Sequence, residues 1–370
     1  MAAERSTAAL NEPDRLDGFS APREVDRLFG HEAAVSEFSD ALHSGRMHHA
    51  WLLVGPEGIG KATLAYRFAR AALAEGAQAG AQDANDRDHP VFRKVAALSH
   101  PNLLLIRRSW VEKSKRYSQW IGVDEVRRLR AFLGHSAGEQ GWRVVMVDRA
   151  DELNQNAANA LLKALEEPPP KTLFLLISSA EGRLPVTIRS RARTLRVAAL
   201  EPEDLEEAVR AALVRDGHEA DAKTLATAVA LSQGSVRRAL ELVSSAGIEL
   251  YGESLDALAA LPEIDGARLH RLVDRLAGAA NIDRLDLYLS LLLGLIERLV
   301  RFAATGEGAT PDEQKLATQL VSEANLAQWA EAWEAMSEAK AEAQALNLDR
   351  GLLLLETWFR LQQVAREHPV

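Results

Sequence analysis

The sequence predicts an α/β domain with a doubly wound parallel sheet over about its first 200 residues, followed by an entirely helical remainder. Two observations support this division. Before about residue 200, short apolar runs of strand length alternate with helical stretches, which is the pattern of βαβ units. After it, Leu, Ala and Val recur at helical spacing, and hardly any run has the pattern of a strand. A chain of 370 residues has room for about two to three domains.

Four apolar runs are predicted to form the strands of the sheet: Ala50–Val54, Leu103–Ile106, 144–147 and 173–178. Each is almost continuously apolar rather than alternating, as expected of strands that helices cover on both faces. Further along the chain, the helices are interrupted near Gly217, Gly234, Gly247 and Pro262 and at 306–311.

These interruptions predict the domain boundaries. We expect a disordered tail at 1–20, the α/β domain at 21–200, a small all-α lid at 201–246 and an all-α C-terminal domain at 250–370. The low-complexity stretch 76–90 is expected to be a loose surface loop.

Composition restricts the classes of function. The formal net charge is −9, whereas a protein whose main task is to grip nucleic acid is usually basic. Any DNA contact must therefore come from local basic patches or from other members of an assembly. The chain has no cysteine, which excludes disulfides and thiolate zinc sites and suits a cytoplasmic protein. The longest apolar run, 287–296, is far shorter than the roughly 20 residues of a membrane span, so we expect a buried helix there.

The most informative segment follows the first predicted strand and opens a predicted helix. It consists of Gly55, Pro56, Glu57, Gly58, Ile59, Gly60 and Lys61. Glycines at this spacing let backbone N–H groups wrap a phosphate, and the helix N-terminus adds partial positive charge. Lys61 is expected to reach the outer phosphates as a point charge. The segment predicts a nucleotide-binding P-loop, with an ordinary glycine-rich turn as the alternative.

Two positions depart from the pattern of an active nucleotide hydrolase. The residue after the P-loop lysine normally has a hydroxyl that holds Mg²⁺, but here it is Ala62. Thr63 is rotated by about 100° on the helix and cannot simply replace it. Asp148 directly follows the third predicted strand, as the Walker B carboxylate does, with strand capping as the alternative. The residue after it should be a Glu that acts on the attacking water, but it is Arg149. A general base is worth about 10²–10⁴ in rate, so we expect hydrolysis to be silenced.

The segments beyond Asp148 resemble a known family. Residues 156–169 read Asn-Ala-Ala-Asn-Ala-Leu-Leu-Lys-Ala-Leu-Glu-Glu-Pro-Pro, and 184–191 read Leu-Pro-Val-Thr-Ile-Arg-Ser-Arg. With 172–179, they closely resemble the sequences that follow Walker B in bacterial DNA polymerase III clamp-loader subunits, which are AAA+ proteins. The likeness covers 28–240, and the helical remainder suits the family's oligomerisation collar.

This resemblance implies roles for residues outside the P-loop. Arg191 occupies the arginine of the family's Ser-Arg-Cys motif, which reaches into the ATP site of the neighbouring subunit, although Ala192 replaces the cysteine. Such an arginine finger is worth about 10³–10⁵ in turnover. Ser178 and Ser179 lie at the first sensor position, and Arg237 at the second, where it would contact nucleotide from the lid. A solvated basic face is the alternative for Arg191, and ordinary surface helix for Arg237.

The two departures indicate which type of subunit the chain resembles. A gamma/tau-type ATPase would keep the hydroxyl and the acidic residue, and 370 residues leave no room for the long tau extension. The delta-prime type is the better match. That match implies a stator without independent ATPase activity, which lends Arg191 to a neighbour and helps load the sliding clamp on primed DNA in replication. A gamma/tau-type ATPase and another DNA-dependent AAA+ ATPase remain the alternatives.

The resemblance also implies cofactors and partners. The predicted nucleotide-binding residues are the seven of the P-loop together with Ala62, Thr63, Asp148 and Arg237. ATP bound without hydrolysis is expected there, an empty site is the alternative, and the sequence leaves Mg²⁺ open. No zinc is expected, since His89 and His100 have the pattern of surface residues. The implied partners are gamma/tau and delta subunits in a cytoplasmic hetero-oligomer, with the clamp and DNA reached through the complex and no membrane.

Overall fold

The computed structural model of the chain describes residues 12–13, 15–75, 83–113, 116–134, 141–244, 247–278, 282–346 and 348–369. Backbone contacts divide the chain into two compact units. The first is Met1–Asp221 with Leu231–Leu240, and the second is Ala222–Ala230 with Glu241–Val370. The predicted lid, 201–246, is thus divided between the two units, and the domain boundaries predicted from the sequence stay predictions.

Strands occur in the first unit. They are β1 (Ala50–Val54), β2 (Leu103–Ile106), β3 (Trp110–Val111), β4 (Arg116–Tyr117), β5 (Arg143–Val147), β6 (Thr172–Ser178) and β7 (Arg193–Arg196). The helices of this unit are α1 (Glu32–His43), α2 (Lys61–Ala74), α3 (Pro90–Ala96), α4 (Val123–Gly134), α5 (Gln155–Glu166), α6 (Val186–Arg189) and α7 (Pro202–Asp216). The later helices are α8 (Ala222–Leu231), α9 (Val236–Ser244), α10 (Gly247–Ala259), α11 (Gly266–Leu276), α12 (Ile282–Thr305), α13 (Pro311–Leu320), α14 (Leu326–Leu346) and α15 (Arg350–Glu367).

Five of the strands form a parallel sheet in the order β2-β5-β6-β1-β7. Successive side chains of a strand point to opposite faces of the sheet, and helices cover both faces. On β1, Trp51 and Leu53 belong to the same core as Phe68 of α2. Leu52, between them, belongs to the opposite core with Leu161 of α5. The predicted fold class, a doubly wound α/β domain followed by helices, is confirmed.

All four predicted strands are present, but the sequence analysis missed β7. Its sequence is Arg-Thr-Leu-Arg, and only Leu195 of the four is buried. The strand lies at the edge of the sheet, beside β1, with Thr194 level with Leu52. An edge strand with polar side chains carries no continuous apolar run, so the criterion that found the other four strands of the sheet cannot find it.

The structure differs from the prediction of a tail at 1–20. Residues 1–11 and 14 lie outside the described residues, but Phe19 is 2% exposed and packs on the ring of His218 at 4.6 Å between centroids. Ser20 donates its backbone N–H to Asp216 at 3.1 Å. Glu12 forms a buried ion pair with Arg23. The described part of this segment is therefore packed against the first unit, because one aromatic ring and two polar contacts fix it. Of the predicted loop 76–90, residues 76–82 likewise lie outside the described residues.

The second unit is helical throughout the part that is described. The apolar run 287–296 lies within α12, and Leu289, Leu292 and Ile296 are buried there, which confirms the predicted buried helix. A buried charged pair, Arg298 with Glu313, joins α12 to α13 at 2.7 Å. No helix among the described residues combines the length and apolarity that crossing a membrane would require.

Candidate functional site

The glycine-rich segment lies at the carboxyl end of β1, where the sheet changes winding direction. The connection after β1 runs to β2 at one edge of the sheet, whereas the connection after the adjacent β6 runs to β7 at the other edge. Ligands of open α/β sheets bind outside the carboxyl ends of the strands at such a point. β5 and β6 end on the same side, so Asp148 and Ser179 follow strands that end beside the loop. The fold therefore places the predicted P-loop where a ligand is expected.

Two glycines give the loop its shape. Gly58 has φ 78° and Gly60 has φ 100°, both in the left-handed region that favours glycine. Gly58 is also closely packed, since a Cβ there would lie 2.2 Å from Ser235 Oγ. The backbone N–H of Arg237 donates to the Gly58 carbonyl at 3.2 Å. The loop thus needs glycine both for its backbone angles and for its contact with the start of α9.

Lys61 is the first residue of α2, and its side chain turns back into the loop. The residue is 5% exposed, and its ammonium group donates to the carbonyl oxygens of Gly55, at 2.7 Å, and of Pro56. A third bond reaches the hydroxyl of Ser179 at 3.0 Å. Burial lowers the pKa of Lys61 to about 8, although neighbouring carboxylates act to raise it. The ammonium group of Lys61 thus lies in the loop, where a phosphate would bind, and the carbonyl oxygens of the loop hold it there.

Arg149 stands directly after the Walker B position and faces the loop. Its backbone is left-handed, with φ 55°. Its guanidinium forms an ion pair with Glu57 of the P-loop and another, at 2.9 Å, with Glu152. Burial acts to lower the pKa of Arg149, but the carboxylates of Glu57 and Glu152 raise it above its ordinary value. A permanent cation thus occupies the position from which an acidic residue would act on water.

The loop opens into a pocket that both charged and apolar side chains line. Lys61, Arg149 and Arg237 contribute charge, and Ala62 and Thr63 lie with them in the lining. Apolar side chains come from several segments: Leu16, Phe19, Leu28, Phe29, Leu200 and Leu240. Such a pocket suits a ligand that joins a polyanion to a flat apolar ring. An ATP molecule has these two parts, so the residues present fit the nucleotide that the P-loop predicts.

Sequence reasoning found Lys61 and Arg237 of the pocket but missed most of its apolar side chains. Leu16 and Phe19 lie in the segment that was predicted to be a tail, where charged residues surround them. It also missed the pairing of Glu57 with Arg149, which are 92 residues apart. The one available signal was the presence of Leu16 and Phe19, two large apolar residues, in an otherwise polar segment.

Arg191 is not among the residues that line this pocket. It lies in the turn between α6 and β7, where it donates to the carbonyl oxygen of Thr187 at 3.0 Å and pairs with Glu166 at 2.9 Å. About a third of its side chain, 36%, is exposed. An arginine that acts on a neighbour's nucleotide must lie outside its own chain's site, so this placement is compatible with a role in trans.

The histidines of the loop region differ from their prediction as surface residues. His89 is 1% exposed and His100 is 7% exposed. In each case the ring Nδ1 accepts a backbone N–H two residues on, from Val91 at the start of α3 and from Asn102 before β2. Both histidines therefore cap local turns, which accounts for their burial. Among the described residues, no group of three His, Asp or Glu side chains is arranged to hold a metal ion.

The basic and aromatic stretch after β2 forms a small hairpin. Trp110 of β3 pairs with Tyr117 of β4, and the two rings meet edge to face at 5.1 Å. Arg107, just before the hairpin, pairs with Glu12 at 3.4 Å.

The part of the chain that carries the loop and Arg191 matches the family model described as DNA polymerase III, delta subunit, over residues 30–201. The delta' subunit of Pseudomonas aeruginosa is 42% identical over 144 residues, covering 39% of this chain and 41% of that protein. The delta' subunit of Escherichia coli K12 is 36% identical over 153 residues, covering 41% and 43%. These matches support a clamp-loader AAA+ relationship for the segment that carries the loop and Arg191.

A gamma subunit and a solved structure are also similar to this chain. The gamma subunit of Buchnera aphidicola subsp. Schizaphis graminum is 28% identical over 225 residues, covering 61% of this chain and 59% of that protein. This chain thus spans between 41% and 59% of the length of the three relatives named. Among solved structures, a gamma-subunit-related protein of Thermotoga maritima covers 88% of this chain and 98% of that one, at 17% identity and a TM-score of 0.36. The fold assignment therefore rests on the observed sheet order and not on this similarity.

The contacts of Gly58 predict a graded response to alanine substitution. Gly58→Ala should lower the free energy of unfolding by about 2–5 kcal/mol, because it combines backbone strain with a clash against Ser235. Gly45→Ala should cost only about 1–2 kcal/mol, since Gly45 has φ 68° but open space around it. Gly182→Ala, with neither feature, is the neutral control. Urea denaturation of the four proteins measures the series, and a Gly58 variant no less stable than the Gly45 variant would contradict the packing argument.

The lowered pKa of Lys61 predicts a pH-dependent stability. Its pKa is about 8 in the folded chain and near its ordinary 10.5 in the unfolded chain, so between these values the unfolded chain binds more protons. The free energy of unfolding of the wild type, relative to Lys61→Met, should therefore rise between about pH 8 and pH 10.5 and be constant below pH 8. The charged groups that act on Lys61 are Glu57, Asp151, Arg149 and Asp148, and both proteins keep them, so the difference between the two proteins reports on Lys61.

Denaturation of both proteins at several pH values gives this difference directly. Methionine removes the titrating group while keeping a long side chain, so loss of the ammonium's hydrogen bonds changes the offset between the two curves and not their slope. A difference that stays constant, or falls, from pH 8 to pH 10 would contradict the buried, partly neutralised state of Lys61.

Proposed function

We propose that this chain is a delta-prime-type subunit of the DNA polymerase III clamp loader. It binds ATP in its P-loop without hydrolysing it and supplies Arg191 to the ATP site of a neighbouring subunit. Acting as a stator, it helps load the sliding clamp on primed DNA. The identities support this type, since the matched segments are 42% and 36% identical to two delta' subunits and 28% identical to the gamma subunit.

The observation that carries the proposal is the position of Arg149. A guanidinium cannot accept a proton from water, so it cannot serve as the general base that hydrolysis requires. Its ion pairs also engage the two carboxylates that lie against it, Glu57 and Glu152. The loss of a base is worth about 10²–10⁴ in rate. A chain that keeps the phosphate cradle and loses the base is suited to holding nucleotide rather than to turning it over.

The second support is the placement of Arg191. The Thr187 carbonyl and the Glu166 carboxylate hold its guanidinium in one position, and part of it remains accessible. A fixed arginine loses less conformational entropy on docking than a free one. Supplied in trans, it offsets the charge that develops on the transferring phosphoryl group.

The proposed partners follow from the family. Gamma/tau and delta subunits would flank this chain in a cytoplasmic hetero-oligomer, and the helical C-terminal residues would form its part of the collar. The clamp and the primed DNA would be reached through the complex, which accords with a chain whose net charge is −9.

Reconstitution of the clamp loader with its gamma/tau and delta subunits tests the role of Arg191. Arg191→Ala should lower ATP hydrolysis at the adjoining site by about 10³-fold or more, and clamp loading with it, because that site loses its trans guanidinium. Assembly of the complex, measured by gel filtration, should be unchanged. Arg191→Lys should restore only part of the rate, since a lysine lacks the forked geometry.

Arg193→Ala is the matched control. Arg193 lies two residues further on, at the start of β7. Its side chain is 45% exposed and forms an ion pair with Glu37. We expect this variant to support normal loading. Normal clamp loading by an assembled Arg191→Ala complex would exclude the proposed finger.

A further inference from the structure

The two motif positions that would hold a magnesium ion, Ala62 and Asp148, do not fit it here. Mg²⁺ requires a near-octahedral set of oxygen ligands. Ala62 offers no oxygen at the position where the hydroxyl ligand belongs, and Asp148, the remaining carboxylate of the motif, is 7% exposed. Its charge already acts on Lys61 and Arg149, where it offsets part of the effect of burial. Two cations thus compete with any metal for the same carboxylate.

Arg149 supplies a positive charge in the same pocket, close enough to act on Lys61. Its guanidinium lines the pocket together with Lys61, Ala62 and Thr63. The two ion pairs of this arginine differ in exposure, since the side chain of Glu152 is 16% exposed and that of Glu57 is 55% exposed. Glu152 can therefore serve as a fixed anchor, while Glu57, on the loop itself, is the partner that water or a phosphate can replace.

We propose that nucleotide binds to this P-loop without Mg²⁺, and that the guanidinium of Arg149 takes the place of the metal beside the phosphates. The inference rests on the proposed binding of ATP, and it names Arg149 as the group that neutralises the charge of the phosphates. A guanidinium forms paired, charge-assisted hydrogen bonds with phosphate oxygens, and a site without metal can use these bonds in place of metal coordination. On binding, the phosphates replace Glu57 as the partner of Arg149, and Glu57 turns to solvent.

If this exchange occurs, substitutions of Arg149 and of Glu57 should change the affinity for nucleotide in opposite directions. Removing the guanidinium removes a contact to the ligand. Removing the charge of Glu57 removes a competitor for that guanidinium. If the ion pair served only to hold the loop in shape, both substitutions would break the same contact and would change affinity in the same direction.

Equilibrium binding of a fluorescent ATP analogue, mant-ATP, to the full isolated chain tests the inference. Titrations are run in Mg²⁺ and in EDTA, and wild-type dissociation constants should agree within about twofold. In EDTA, Arg149→Ala should bind about tenfold to a hundredfold more weakly, because a charge-assisted contact is lost. Glu57→Gln should bind about two- to fivefold more tightly, since an exposed ion pair no longer competes.

Matched controls come from an exposed pair elsewhere in the same unit. Arg210 and Glu206 form an ion pair on α7 at 2.6 Å, and neither lines the pocket. Arg210→Ala and Glu206→Gln should leave the dissociation constant unchanged. Alanine at 149 adds little backbone strain, because any residue with a Cβ bears a similar cost at φ 55°. Thermal melting of each variant confirms that it is folded, and Arg149→Lys, which keeps the charge without the fork, should lie between wild type and Arg149→Ala.

Three outcomes would overturn the inference. They are binding that needs Mg²⁺, Glu57→Gln binding that weakens along with Arg149→Ala, and the absence of any binding in either buffer. None of these would remove the role of Arg191, which the reconstituted complex measures separately. Loss of the Arg191 effect with metal-free binding intact would conversely leave this inference standing.

Discussion

The ion pair between Glu57 and Arg149 joins the phosphate loop to the residue that follows β5, and the functional interpretation depends on it. Both side chains are partly exposed, at 55% and 32%, so the pair contributes at most about 1 kcal/mol to stability. Its main effect is therefore on the positions of charged groups in the site. It fixes a cation where an active enzyme would have a base, and it places a carboxylate where the phosphates would arrive.

The shape of the cradle and the chemistry of hydrolysis can be separated because different parts of the chain determine them. Loop shape follows from the φ angles of Gly58 and Gly60, from the backbone bond between Gly58 and Arg237, and from the position of β1 in the sheet. None of these needs a hydroxyl at 62 or a carboxylate at 149. A chain can therefore lose turnover while keeping a nucleotide-shaped pocket, which is the combination that a non-hydrolysing subunit requires.

Much of the fold could be predicted from the sequence, because buried parallel strands leave a strong local signal. β1 and β2 were predicted to the residue, and β5 and β6 to within one residue. The edge strand β7 could not be found, since only Leu195 of its four residues is buried. For the site, the P-loop spacing identified the loop and Lys61. The apolar side chains of the pocket come from four separate segments, and residues such as Phe19 and Leu240 are brought together only in the folded chain.

Phosphate release by the isolated full chain tests the central claim most directly. With radiolabelled ATP and excess Mg²⁺, the account predicts no release above the rate of a protein-free control, whether or not the nucleotide is bound. Sustained Mg²⁺-dependent turnover that disappears in Lys61→Met would contradict it, because the P-loop of this chain would then be hydrolysing ATP.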